Sequence, residues 1–310
     1  MKASPLFATL ITTLALCSCD KNDTLPRNDD GAVRFSSGID ALPPQSRVTV
    51  DDQGNARWNA ADPIGIYMVG HGTGEITDQA ANILYLVGRG GTQTTFTASA
   101  NKIYYPLANG AKVDFIAYHP HNAALTDFSY PIDLTQQKPQ SAIDLMTARA
   151  DNDGVGYDKQ DGREGGEVKL AFTHRLVKLV MKVSKDASVP GKVTTVKIHG
   201  MHTTATFDLK GVDGLTGPGG PKEITAYAAP SFPGTRFEAI LLPAALGEAH
   251  SVTFHTDQNE AYTWSIHNQI PVLEAGKMYV YTINVTKRTL SASGSIHAWT
   301  GGSTGTGTAE

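Results

Sequence analysis

Apolar and polar residues alternate with a period of two along most of this chain, and no stretch holds a 3.6-residue apolar period over the length of a helix. Clusters of Gly, Pro, Asn and Asp, the residues of tight turns, separate the alternating segments. In the first half the pattern predicts strands at Ala32–Ile39, Ile64–Val69, Ile83–Val87, Thr94–Ala98, Lys102–Pro106, Val113–Tyr118 and Phe128–Leu134. Val33, Phe35 and Ile39 share one parity, so the first of these carries an apolar face. In the second half, Val177, Leu179, Met181 and Val183 alternate with Lys178, Val180 and Lys182, the pattern of a half-buried strand. Further strands are expected at Thr194–His199, Thr203–Leu209, Ile224–Ala228, Phe237–Leu242, Ser251–His255, Ala261–Ile266, Met278–Val285 and Leu290–Trp299. About seven strands per half make an all-β chain with two β-sandwich domains.

Residues 151–166 are the sharpest break in the interior, rich in Gly and Asp and poor in large apolar side chains. They place the domain boundary near Gly165, with an N-terminal sandwich over 31–164 and a C-terminal one over 165–310. Asp151, Asp153, Asp158 and Asp161 in this stretch loosely resemble a calcium loop, but Gly154 falls too early for the EF-hand order. A solvated linker explains the same residues.

The chain opens with Lys2 and an apolar run from Leu6 to Leu16, about 11 residues, the length of a signal-peptide core and too short to span a bilayer. Its two cysteines, Cys17 and Cys19, close that run. A Cys-x-Cys pair lacks the four ligands of a zinc site and the spacing of a CxxC redox motif. Leu16-Cys17-Ser18-Cys19 instead resembles a bacterial lipobox, which implies cleavage after residue 18 and lipid, palmitate included, on Cys19, with an ordinary secretory signal and incidental cysteines open as the alternative. The acyl chains, at about 0.8 kcal/mol per buried CH₂, anchor such a chain firmly. Residues 19–30 are polar, with no core-forming period, and read as a disordered tether. A mature chain of about 290 residues, cut there, holds no disulfide and needs an adequate core of its own.

The net charge of −4 gives no basic footprint for nucleic acid. Among ten histidines only His119/His121 and His199/His202 are close pairs. Pro120 argues for a strand end between the first two, and surface or turn positions account for both pairs. HExxH, G-x-S-x-G and a phosphate-binding loop are absent, and paired carboxylates are scattered through the loops without a diagnostic spacing. No catalytic residue, metal site or cofactor follows, and the chain reads as a non-enzyme.

Several stretches together are similar to the fimbrillin family, the subunits of protease-activated type V pili of anaerobic Gram-negative bacteria. Val33-Arg34-Phe35 followed by Ser46-Arg47-Val48 resembles the family's first strand and activation site. Trp58 through Asp62-Pro63-Ile64-Gly65-Ile66-Tyr67-Met68 resembles its W..GD.IGVYM stretch, with Ala61 where glycine is usual. Phe172-Thr-His174-Arg-Leu176-Val-Lys-Leu179 resembles its F.H.L.KL, and Gly276 through Val285 with Ile296-His-Ala-Trp299 its closing strands. The likeness spans about residues 31–310 and implies two tandem transthyretin-like β-sandwiches.

The resemblance also implies a mechanism. A surface-exposed outer-membrane lipoprotein precursor is cut by an arginine-specific protease, loses its lipid and first strand, and takes a strand from the next subunit. Here residues 31–47 are the removable strand and activation loop, and Arg47 follows a Pro43-Pro44 stretch unsuited to a ladder. A cut after Arg34 splits the strand, and one after Arg27 leaves it in place. For Arg47 an ordinary surface charge stays open as the alternative. Residues 289–299 are the donor-like strand. Leu290, Ala292, Gly294, Ile296 and Ala298 form one apolar face and Ser291, Ser293, Ser295 and His297 a polar one. An ordinary intramolecular last strand shows the same alternation. About ten ladder bonds near 1 kcal/mol each, with two large side chains near 2 kcal/mol each, barely offset the ordering of ten residues at about 1–2 kcal/mol each. The drive must therefore come from the emptied groove.

Such head-to-tail donation does not close, so it builds a filament, a fimbrium, whose partners are other fimbrial subunits and whose expected role is adhesion. A stalk, tip or anchor position fits the family. The rival from another class is a membrane-retained surface lipoprotein that binds glycan or another ligand as a monomer. Trp58, Trp264 and Trp299 are too widely spaced to favour an aromatic platform and read as core.

Overall fold

The computed structural model describes residues 31–38, 57–163, 165–211, 214–229, 235–287, 290–299 and 306–307. The signal segment 1–18, Cys19, the tether 19–30, most of the activation loop and Arg47 lie outside the described residues.

The chain is all-β. Its first nine strands are β1 (Phe35–Gly38), β2 (Pro63–Gly70), β3 (Ile83–Val87), β4 (Gln93–Ala98), β5 (Val113–His119), β6 (Ser129–Asp133), β7 (Met146–Ala150), β8 (Val168–Lys169) and β9 (Thr173–His174). Eight of them form one sheet in the order β8-β1-β4-β3-β2-β5-β7-β9. Its two edge strands, β8 and β9, are separated in sequence only by Leu170 to Phe172. Extended chain of that length spans about 14 Å, whereas eight flat strands at about 4.8 Å spacing would put the edges about 34 Å apart. The sheet therefore rolls up around its own core. Ile64, Ile66 and Met68 of β2 and Phe115 and Ala117 of β5 fill that core with Phe35 and Phe96. Tyr67 and Val69, of opposite parity, are equally buried on the outer side, so β2 is apolar on both faces and reads as a continuous run.

The remaining strands are β10 (Val177–Lys185), β11 (Val193–His202), β12 (Thr204–Asp208), β13 (Leu215–Thr216), β14 (Pro221–Thr225), β15 (Tyr227–Ala229), β16 (Thr235–Leu241), β17 (Ala244–Ala245), β18 (Ser251–Thr256), β19 (Ala261–Trp264), β20 (Val272–Leu273), β21 (Lys277–Val285), β22 (Leu290–Ala298) and β23 (Thr306–Gly307). A six-stranded sheet, β15-β16-β10-β21-β22-β23, faces a four-stranded one, β14-β11-β18-β19. Between them lie Leu179 and Met181 of β10, Val196 and Ile198 of β11, Phe254 of β18 and Tyr281 of β21, the core of a sandwich. β17 and β20 pair apart from these sheets.

A third core joins the halves. β6 of the first half pairs with β12 of the second, and β13 completes this small sheet. Its buried face, Tyr130 and Ile132 with Ala205 and Phe207, packs into one cluster with Tyr67 and Tyr118 of the first sheet and Val180 and Val280 of the second. The loop between β6 and β7 crosses the same junction. The Gln137 side chain donates to the Ile240 carbonyl and accepts from its amide, at 3.1 and 2.8 Å.

The structure differs from the sequence expectations at several points. β8 and β9 lie beyond the expected boundary at Gly165, yet both pair within the first sheet. Residues 151–166 are not a free linker. Tyr157 exchanges backbone hydrogen bonds with Val113, Lys112 bridges Asp158 at 2.9 Å, and Lys159–Arg163 forms one short helix. Lys102–Pro106 forms no strand, only a bridge between Tyr104 and Ala32. Lys178, expected on a wet face, is buried, because Glu238 and Gln140 supply its partners.

Candidate functional site

β1 is short, but it is inserted rather than laid on an edge. It pairs antiparallel with β4 from Phe35 opposite Phe96 to Gly38 opposite Gln93, and parallel with β8 at Phe35 and Ser36. The Val33 amide donates to the Ile103 carbonyl, and the amides of Val168 and Leu170 donate to the carbonyls of Arg34 and Ser36, each at 2.8 Å. The odd positions Val33, Phe35 and Ser37 face inward, as the parity of the sequence predicts, and Arg34 stays outside. The Phe35 ring is 1% exposed and meets Tyr85 and Phe115 edge-on at centroid distances of 5.2 and 5.1 Å. Removing this strand would leave a groove walled by β4 and β8 and floored by aromatic rings.

The donor-like strand lies in its own molecule. β22 pairs antiparallel with β21 residue for residue, from Leu290 opposite Val285 to Ala298 opposite Lys277. Leu290, Ala292 and Ile296 are half-buried against the sandwich core, while Ser291 and Ser293 are exposed. Gly294 is required by close approach. A Cβ there would stand 2.6 Å from the Val280 carbonyl oxygen and 2.7 Å from the Tyr281 ring. Among the described residues, β23 pairs with β22 at Ile296 and His297.

The strand ends on a clamp. Trp299 is 1% exposed and stacks on His174 with ring centroids 3.9 Å apart and planes 10° from parallel. The Nδ1 atom of His174 lies 3.0 Å from Asp144. The Trp299 amide donates to the Gly276 carbonyl at 2.7 Å, and the Gly276 amide donates to the Leu176 carbonyl at 2.9 Å. The sequence places Trp299 in a core but gives no hint that this core is the junction of the halves.

The other candidates resolve into structural roles. Trp58 and Trp264 are buried, and Trp58 packs edge-on against Phe96 and Phe172. His119 is not a surface histidine. It is 3% exposed, its Nδ1 stands 2.9 Å from the Pro63 carbonyl oxygen, and burial holds its pKa below the ordinary imidazole value. Burial also lowers His121, which stacks on Tyr118. His199 contacts Thr253 and Glu223, whereas His202 contacts the Gly219 carbonyl, so that pair does not converge. Among the described residues no group of three His, Cys, Asp or Glu side chains is placed to hold a metal, and no helix is long and apolar enough to cross a membrane.

The comparisons with known proteins agree with this architecture. Residues 46–299 match the fimbrillin-like family. A curated protein of Bacteroides uniformis, named "Putative fimbrium subunit Fim1C", is 32% identical over 329 aligned residues and is covered in full, as is this chain. A crystal structure from Bacteroides uniformis ATCC 8492, described as that of "a putative cell adhesion protein", is 31% identical. It aligns with a TM-score of 0.69 over 88% of this chain and 99% of its own. A crystal structure from Bacteroides ovatus ATCC 8483 with the same description is 18% identical, with a TM-score of 0.62 over 86% and 97%, and it supports the fold alone.

Proposed function

The chain belongs to the fimbrillin-like family, a class of fimbrial structural subunits and not of enzymes, and from that premise we propose that it is a surface lipoprotein that polymerises by strand exchange after arginine-specific proteolysis. Membership implies assembly with other fimbrial subunits at the cell surface. Export with lipid on Cys19, release by a cut after Arg47 and donation of the 290–298 strand are the finer steps of the proposal. One observation carries it. The first strand is seated between two others, with Phe35 locked among rings, so that a break in the loop behind it opens an apolar groove. Reburying the Phe35 seat is worth about 2 kcal/mol, and each ladder bond re-formed adds about 1 kcal/mol. An incoming strand with alternating small and apolar residues fits such a groove.

A second reading has its own support. The complete pairing of β22 with β21 and the burial of Trp299 favour a subunit that keeps its last strand and stays in the outer membrane as an anchor. The same features suit a lipoprotein that binds a ligand as a monomer. The intact mass and N-terminus of the protein from surface filaments separate these readings. A chain beginning at Val48 without lipid supports cut-and-donate assembly. A chain beginning at acylated Cys19 and confined to the membrane refutes it for this subunit.

A further inference from the structure

The segment from Val168 to Leu176 touches both moving parts of the proposed exchange. At one end is β8, an edge strand whose partner in the sheet is β1. Val168 and Leu170 are fully buried in the first core, so β8 is held by that pairing and by core packing. Phe172, in the middle, packs on Trp58 with centroids 5.0 Å apart. At the other end His174 stacks on Trp299, and Leu176 reaches Trp299 through the two backbone bonds at Gly276. Gly276 has φ of 69°, and a Cβ there would press on the His174 carbonyl oxygen at 3.2 Å. Among the described residues neither Nε2 of His174 nor Nε1 of Trp299 has a hydrogen-bond partner. On the His174 side the stack is held by the Asp144 contact and the pairing of β9 with β7, and between the rings by contact alone, which a displacement of the segment weakens.

We infer that residues 168–176 couple the seating of the first strand to the clamping of the last. When β1 leaves, β8 loses its sheet partner, the segment leading to His174 keeps only its β9–β7 pairing and the Asp144 contact, and β22 with Trp299 is released more readily. One event then opens the groove and frees the strand that fills the next groove. The biological use of this coupling rests on the exchange reading above. The coupling itself belongs to the intact chain and needs no cut.

Hydrogen exchange followed by mass spectrometry on the intact chain tests it. Phe35→Ala unseats β1 without cleavage and is expected to speed exchange at residues 290–299 about tenfold, within the usual range of coupled sites. Linkage demands the reciprocal effect, so Trp299→Ala should speed exchange at 31–38 by a similar factor. Val113→Ala, at the far end of β5 in the same first core, controls for general loosening and should leave 290–299 protected. Phe35→Leu gives a smaller shift in the same direction should the alanine variant fail to fold. Unchanged protection of 290–299 while 31–38 exchanges freely overturns the coupling, as does equal acceleration by Val113→Ala. A chain that is never cut at Arg47 would remove the exchange reading and leave this result standing.

Discussion

Glu238→Gln tests whether the junction depends on a buried charge cluster. Glu238 on β16 bonds Lys178 on β10 at 2.8 Å and Arg236 at 2.6 Å, with all three side chains about nine-tenths buried. Lys178 also donates to Gln140, from the loop that crosses between the halves. Burial pushes the Glu238 carboxyl upward, but Lys178 and then Arg236 outweigh it, and its pKa lies below the ordinary glutamate value. Glutamine keeps the shape and removes the charge, leaving Lys178 and Arg236 buried without the Glu238 carboxylate, at a cost of about 3–5 kcal/mol. For a protein of this size that is a fall of roughly 10 °C in melting temperature. The sign with pH is fixed by the depressed pKa. The cluster stabilises fully above the unfolded glutamate pKa of about 4.5 and is lost as pH falls through the lower folded value. Urea titrations at pH 7 and pH 3 should therefore show a large gap between wild type and variant at pH 7 and a smaller one at pH 3. An equal gap at both values, or none at pH 7, refutes the assignment. Replacing all three residues with apolar ones of similar volume should come out near neutral, since no charge is then stranded.

Other perturbations have clear directions. Ala61 adopts φ of 67° at an exposed turn, so Ala61→Gly should stabilise by about 1 kcal/mol in chemical denaturation. Gly294→Val drives a side chain into the β21 backbone, and limited proteolysis should then clip residues 290–299, which the wild type protects. His119 is held neutral by burial, so the unfolded chain takes up a proton that the folded chain resists as pH drops below about 6.5. Stability should fall between pH 7.5 and 5.5, and His119→Gln should flatten part of that slope, the rest reflecting His121. Cys19→Ala should abolish radiolabelled palmitate incorporation, and continued labelling would overturn the lipobox assignment.

Local alternation made most strands legible, and it placed Phe35 inward and Ser291 outward correctly. It failed where burial comes from both sides or from afar. β7 gives no clear local signal, because Met146–Ala150 alternates weakly and buries Thr147. The Gly- and Asp-rich stretch before β8 and β9 resembles a boundary and assigns them to the second half. Their membership in the first sheet follows from parallel pairing to β1 and antiparallel pairing to β7, which no local period encodes. The pairing of β6 with β12 is non-local in the same way. In the candidate site, the apolar face of the last strand was legible. Its clamp was not, because Trp299 owes its place to His174 and Gly276, both distant in sequence.

The rolled first sheet has a consequence for the timing of assembly. While β1 is in place, the edges at β4 and β8 are both covered, and the half presents little unpaired backbone along that seam. Removing β1 bares two edges at once beside an aromatic floor, a template for any extended peptide. By the same rule, a subunit opened in free solution would be an aggregation nucleus. If the proposed exchange operates, opening would be safe only where a matching strand is already at high local concentration, at the growing end of a fibre. Under the proposed exchange, the seam would set where on the cell a cut could be tolerated, as well as what the cut would expose.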